Sequence, residues 1–141
     1  MSRKGMEIRH PKKRGEWAEL RFMAAAAEHG LTITRPWGDC SRYDFVSEYE
    51  GRFYRVQVKA TGQKLYHNYA CNLRSGGREK YKENEIDFLA AYIIPLDIWY
   101  IVPAEVAVNN HSRITLSPHL PTSKHARYRE AWDLLKKGRQ V

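Results

Sequence analysis

The sequence contains few cysteines and no long hydrophobic run, and both shortages restrict its class. Its two cysteines, Cys40 and Cys71, lie far apart and outside any C-x-x-C or cysteine–histidine pattern. We therefore expect neither a disulfide framework nor a structural zinc site, and we expect a reducing, cytoplasmic location. The longest apolar run, Phe88–Ile94, is far shorter than the ~20 residues that a membrane-spanning helix needs, so no membrane partner is expected.

Acidic residues are also scarce relative to basic ones. The chain has 24 Lys and Arg against 16 Asp and Glu, which gives a formal net charge of +8. The excess lies at the two ends, in residues 1–14 and 124–141, while the middle is near neutral. Such an excess favours nucleic acid as a partner, although solubilising tails are the alternative interpretation. The length predicts one domain over residues 15–141, preceded by a basic arm over residues 1–14.

Helices are predicted near both ends of the domain. The first covers Gly15–His29 and is followed by Gly30, a residue that commonly ends helices. Its helical spacing predicts one apolar face of Trp17, Leu20, Ala24 and Ala27. A last helix is predicted from Ser123, as its N-cap, through Lys137.

Strands are predicted between these helices, rich in aromatic and β-branched residues. They are Leu31–Thr34, Tyr43–Tyr49, Arg52–Ala60, Tyr69–Leu73, Phe88–Ile94, Ile98–Val102 and Arg113–Leu116. This order predicts a mixed α+β domain of the α/β class, with one central sheet flanked by helices.

The first predicted hairpin places three polar side chains together. If Glu50 and Gly51 are its turn residues, Asp44 lies directly opposite Gln57, and directly opposed side chains share a face of the sheet. Lys59, two residues beyond Gln57, points to the same face. A one-residue bulge would disturb this pairing.

This combination suits phosphodiester hydrolysis with a divalent cation. Asp44 and Gln57 offer the oxygen ligands that Mg²⁺ prefers, and Lys59 can orient a water molecule and stabilise a developing oxyanion. A third oxygen ligand is available from Glu16 or Glu19, which lie one turn apart on the first helix.

These residues resemble the motif of the PD-(D/E)xK nuclease superfamily. The pattern comprises Gly15-x-x-x-Glu19 on a helix, Tyr43-Asp44 at the start of a strand, and Gln57-Val58-Lys59 on the next strand. The Gln-x-Lys variant is most similar to small endonucleases associated with group I introns. The similarity continues from Glu85-Ile86-Asp87-Phe88 through Trp99-Tyr100-Ile101-Val102-Pro103.

The resemblance implies a restriction-endonuclease-like core and a Mg²⁺-dependent DNA endonuclease of the homing or intron-associated kind, with Mn²⁺ as a substitute ion. The implied catalytic residues are Glu19, Asp44, Gln57 and Lys59. The implied metal ligands are Asp44, Gln57 and Glu19, with Glu16 as the alternate. Because Gln57 carries no charge where the superfamily usually has a carboxylate, an inactive nucleic-acid-binding module with the same fold remains the alternative.

Candidate DNA contacts lie mostly in the segment after the Gln-x-Lys strand, where basic residues alternate with tyrosines. An ordinary polar loop is the alternative for this segment. The residues expected to contact DNA are Arg14, Ser41, Arg42, Lys64, His67, Arg74, Arg78, Lys80 and Lys82. Cutting both strands symmetrically requires two active sites, so a homo-oligomer (a dimer or tetramer) is expected, with residues 93–98 as its apolar interface.

Overall fold

A computed structural model describes residues 5–73, 85–108 and 112–137 of the chain. Its first helix, α1, spans Pro11–Glu28 and so begins four residues before the predicted start. Proline is well suited to the first position of a helix, because the N–H group that it lacks has no helical partner there. Gly30, with φ +82°, follows the helix, and the Leu31 N–H donates to the Ala26 carbonyl at 3.0 Å.

The face that α1 buries differs from the predicted one. Ala18, Phe22 and Ala26 are fully buried, whereas Leu20 is 63% exposed. Phe22 stacks with Phe45 of the central sheet at a ring-centroid distance of 5.4 Å. The helix therefore packs on the sheet through Phe22, and Leu20 faces outward.

In the described residues, eight strands follow α1. They are β1 (Thr32–Thr34), β2 (Phe45–Tyr49), β3 (Arg52–Thr61), β4 (Lys64–Leu65), β5 (Asn68–Asn72), β6 (Phe88–Ile93), β7 (Ile98–Pro103) and β8 (Arg113–Leu116). The central sheet has the order β1-β2-β3-β6-β7 and is mixed, because β3 and β6 run parallel while the other neighbours are antiparallel. The described residues also form two short helices, α2 (Ala104–Val108) and α3 (Leu134–Lys137), and 3₁₀ turns over Ile94–Leu96 and Ala126–Tyr128.

A second sheet of three strands, in the order β4-β5-β8, was not predicted. It packs on one face of the central sheet, while α1 packs on the other. Strand β6 is buried along its whole length because its alternate residues enter the two cores: Tyr92 lies with the α1 core, and Ile93 with the other. The prediction of an exposed apolar interface over residues 93–98 is therefore wrong at its start, since Ile93 and Ile94 are buried.

The predicted helix from Ser123 to Lys137 is also wrong. The segment forms turns, with a single 3₁₀ turn over Ala126–Tyr128 and α3 at its end. Glu130 prevents a continuous helix: its φ is +48°, and its carboxylate accepts hydrogen bonds from the Trp99 N–H (2.6 Å) and the Trp132 indole N–H (2.8 Å). These contacts tie the segment to edge strand β7 and bury Trp132.

Within the described parts of the chain, none of the helices combines the length and apolar character that crossing a membrane requires.

Candidate active site

The β2–β3 hairpin has the predicted register. Its pairs run from Phe45 opposite Val56 to Tyr49 opposite Arg52. Glu50 and Gly51 both have positive φ angles, 48° and 79°, as a two-residue hairpin turn of this type requires. Val56 and Val58 enter the α1 core, so the alternating residues Gln57 and Lys59 point away from it.

Asp44 lies just before this ladder and not within it. The regular pairing ends at Phe45, and the Asp44 N–H donates to the Val56 carbonyl at 2.9 Å. The Asp44 Oδ2 atom accepts the Val58 N–H at 2.8 Å. The expected direct pairing of Asp44 with Gln57 is therefore replaced by a bond from the Asp44 side chain to the β3 backbone, which fixes the carboxylate beside Gln57 and Lys59.

One cavity of about 620 Å³ brings the predicted catalytic residues together. Helix α1 contributes carboxylates, the connection between β1 and β2 contributes Asp44, and strand β3 contributes the amide and the ammonium group. The predicted residues in its lining are Glu16, Glu19, Ser41, Arg42, Asp44, Gln57 and Lys59. The residues of the sequence motif therefore line one continuous concave surface.

Burial raises the pKa of two carboxylates of this cavity. The pKa of Glu19 is raised to about 7, first by burial and then by the negative charges of Asp44 and Glu16, against the opposing effect of Arg35. Burial also raises the pKa of Asp44, although the Val58 N–H, Lys59 and Arg35 favour its charged form. A cation bound beside these half-buried carboxylates would favour their charged forms.

The available donors fit a hard divalent cation. Glu19 and Asp44 offer carboxylate oxygens, and the buried Gln57 offers an amide oxygen. In the described ranges, no three or more His, Cys, Asp or Glu side chains form a group that could hold a metal ion. Such a site would thus need the Gln57 oxygen or ligands from the substrate.

The predicted DNA contacts are scattered. Ser41 and Arg42 line the site cavity, where the Arg42 Nε atom lies 3.5 Å from Glu85 Oε2. Lys64 and His67 line a separate cavity of about 360 Å³. Arg14 is on α1 and does not belong to the described lining of the site cavity. The remaining candidates, Arg74, Arg78, Lys80 and Lys82, lie outside the described residues.

Two basic residues of the cavity were not predicted. Arg35 follows β1, its Nη2 atom lies 3.9 Å from Glu19 Oε1, and its guanidinium lies over the Phe45 ring at 5.8 Å. Lys12 lies one helical turn before Glu16 and also lines the cavity. The spacing of Lys12 and Glu16 could have indicated their shared face, whereas no local pattern links Arg35 to Glu19.

The mixed sheet and this cleft, with Asp44 directly before strand β2 and the Gln-x-Lys element on strand β3, define a nuclease of the restriction-endonuclease-like class. A model of the PD-(D/E)XK endonuclease family matches residues 9–135, and the chain belongs to that family. Its members act on DNA and generally use divalent metal ions. The resemblance read from the motif residues and the fold that it implied are both confirmed.

A solved structure supports the same assignment. The bacterial homing endonuclease I-Ssp6803I is similar to this chain with a TM-score of 0.78 and 29% sequence identity, over 89% of this chain and 93% of that one. A search of curated proteins gave no significant match.

Proposed function

We propose that this nuclease is a Mg²⁺-dependent DNA endonuclease, with Mn²⁺ as a substitute ion, and that Glu19, Asp44, Gln57 and Lys59 form its catalytic site. The observation that carries this proposal is that these four residues line one cavity. The raised pKa of Glu19 beside Asp44 supports the binding of a cation there.

In this proposal, Asp44, Glu19 and Gln57 hold the ion. Such an ion would polarise a phosphodiester and lower the pKa of its bound water. The bond from the Val58 N–H occupies one oxygen of Asp44 and sets its direction. Glu16, on the same cavity wall, is the alternate helix carboxylate.

Lys59 supplies positive charge beside Asp44, and this charge favours the ionised form of that carboxylate. During cleavage, the Lys59 ammonium group would orient the attacking water and stabilise the charge that develops on the phosphate oxygens. Ser41, Arg42, Arg35 and Lys12 are proposed to position the DNA phosphates along the same cavity.

We further propose a homing or intron-associated role. The Gln-x-Lys element and the similarity to a protein described as a bacterial homing endonuclease support it. Cleavage of both strands would require two copies of the site, and we propose a dimer or tetramer. Its interface would have to lie outside Ile93 and Ile94, which are buried in the protomer.

A plasmid-cleavage assay tests the proposal against the inactive DNA-binding alternative. Supercoiled plasmid should become nicked or linear with Mg²⁺ and stay intact with EDTA. The Lys59→Ala variant, matched to wild type in circular dichroism and melting temperature, should leave it intact in both conditions. DNA binding without Mg²⁺-dependent cleavage by the wild type would favour the inactive module.

A further inference from the structure

Trp37 differs from the other three tryptophans of the chain, all of which lie in the described residues. Trp99 and Trp132 are almost completely buried, and Trp17 is half-buried against the α1 core. Trp37 is fully exposed, at 102%. An indole offers a large apolar surface for packing, and the fold leaves the whole of this one in solvent.

Pro36, directly before Trp37, restricts the loop that carries the indole, because its ring fixes its φ angle. Gly38, directly after Trp37, has a φ of +84°, which is accessible to glycine at little cost. The proline reduces the backbone entropy that a contact through the indole would lose.

Trp37 also stands at the rim of the proposed active site. Pro36 and Gly38, immediately before and after it, line the site cavity, as does Arg35. The cavity contains further cationic side chains from Lys12 and Arg42. A DNA phosphate bound in the cavity would therefore bring the adjoining nucleotide to the loop that carries the indole.

We propose that Trp37 is a substrate-contact residue that stacks on a DNA base next to the phosphate held in the cavity. This inference rests on the proposed function and adds a base contact to its phosphate contacts. Aromatic side chains stack on any base, because every base has a π-face, and apolar side chains that enter a duplex partly unstack it. The contact would increase affinity without reading one particular base.

DNA binding by three variants tests this inference. Binding of a mixed-sequence 40-bp duplex is measured in EDTA, so that no metal-dependent cleavage occurs, for wild type, Trp37→Ala, Trp37→Phe and Phe53→Ala. Phe53 is the matched control, since it is 61% exposed and is not part of the described cavity lining. Trp37→Ala should weaken binding about tenfold, Trp37→Phe should remain within about threefold of wild type because it keeps an aromatic ring, and Phe53→Ala should bind like wild type.

Fluorescence gives a second readout that general destabilisation would not imitate. The difference between the wild-type and Trp37→Phe emission reports Trp37, and bound DNA should protect this emission from acrylamide quenching. Melting temperature and Mg²⁺ affinity should be unchanged in both Trp37 variants.

The possible outcomes separate this inference from the proposed function. Equal DNA affinity of wild type and Trp37→Ala would overturn the inference and leave the function intact. An equal loss in Phe53→Ala, or full acrylamide access to Trp37 in the complex, would also overturn it. A wild-type protein that binds no DNA in EDTA or with Mg²⁺ would overturn both.

Discussion

The Asp44 carboxylate continues the β2–β3 hairpin where its backbone pairing ends, by accepting the Val58 N–H at 2.8 Å. Val58 lies between Gln57 and Lys59, so this bond joins the acidic residue of the motif to the centre of its Gln-x-Lys element. The side chain remains half-buried with a raised pKa despite this bond, because burial is the larger effect. The hairpin thus positions a half-buried carboxylate whose charged form a bound cation would favour.

Replacement of Asp44 or Lys59 should remove cleavage. We expect Asp44→Ala and Lys59→Ala each to abolish cleavage, and the double variant to lose no more than either single variant, because residues that act as a unit give non-additive losses. Steady-state cleavage assays and DNA binding in EDTA measure the two effects separately.

Asp39→Ala is the control for this pair, since Asp39 is an exposed carboxylate on the same cavity. We expect it to retain cleavage. Mg²⁺-dependent nicking by a pure Asp44→Ala preparation would contradict the assigned role of Asp44.

Substitutions at Gln57 test its proposed role as an uncharged metal ligand. Its amide oxygen should bind a cation less tightly than a carboxylate would, so wild type should bind Mg²⁺ weakly alone and better with DNA. Gln57→Glu should tighten metal binding without DNA and keep at least part of the activity. Gln57→Ala should lose most activity. Calorimetric titration with Mg²⁺ or Mn²⁺ and parallel cleavage assays provide the measurements, and a Gln57→Ala variant as fast as wild type would show that Gln57 is structural.

The site hairpin could be predicted from the sequence because its determinants are local. Glu50 and Gly51 favour a two-residue turn, and that turn fixes the pairing of every residue along both strands. The prediction failed only at Asp44, where the ladder ends. There the Asp44 side chain accepts a backbone N–H, and the expected pairing with Gln57 does not form.

The remaining errors involve contacts between distant parts of the chain. The second sheet requires β5 to pair with β8, which lies far along the sequence. The predicted last helix competes with the bonds of Glu130 to Trp99, and the tertiary bonds prevail over helix propensity. Arg35 approaches Glu19 only because α1 and β1 pack together.

The raised pKa of Glu19 predicts a pH-dependent stability in the metal-free protein. The folded state binds this proton more tightly than the unfolded state, whose pKa is near 4.5. Stability from this group is therefore present below pH 4.5 and falls as pH rises towards 7. Glu19→Gln should abolish this contribution. Its free energy of unfolding relative to wild type should therefore rise between pH 4 and pH 8, by on the order of 1–3 kcal/mol, because solvent screens part of the interaction of this half-buried group.

Urea unfolding of both proteins in EDTA between pH 4 and 8 measures this effect, and the comparison cancels groups common to both. Saturating Mg²⁺ should reduce the wild-type loss of stability at high pH, because the ion compensates the carboxylate charge. A stability difference between the two proteins that stays constant with pH would contradict the raised pKa of Glu19.

A network of hydrogen bonds holds strand β3 to the residue directly before strand β6. The Asp87 carboxylate accepts the Arg55 backbone N–H at 2.7 Å and two guanidinium bonds at 3.1 and 3.2 Å, and the Asp87 N–H donates to the Arg55 carbonyl. Arg55 lies two residues before Gln57, so this network fixes the strand that carries the amide and ammonium groups of the proposed catalytic site. Asp87→Ala should lower the free energy of unfolding by about 2–3 kcal/mol, since it leaves the Arg55 backbone donor without its carboxylate.

Glu28→Ala is the control for this prediction. It removes an exposed carboxylate at the end of α1 and should change the free energy of unfolding by less than about 0.5 kcal/mol. Urea titration of both variants makes this comparison. Equal stability of Asp87→Ala and wild type would show that the parallel pairing of β3 with β6 does not depend on the network.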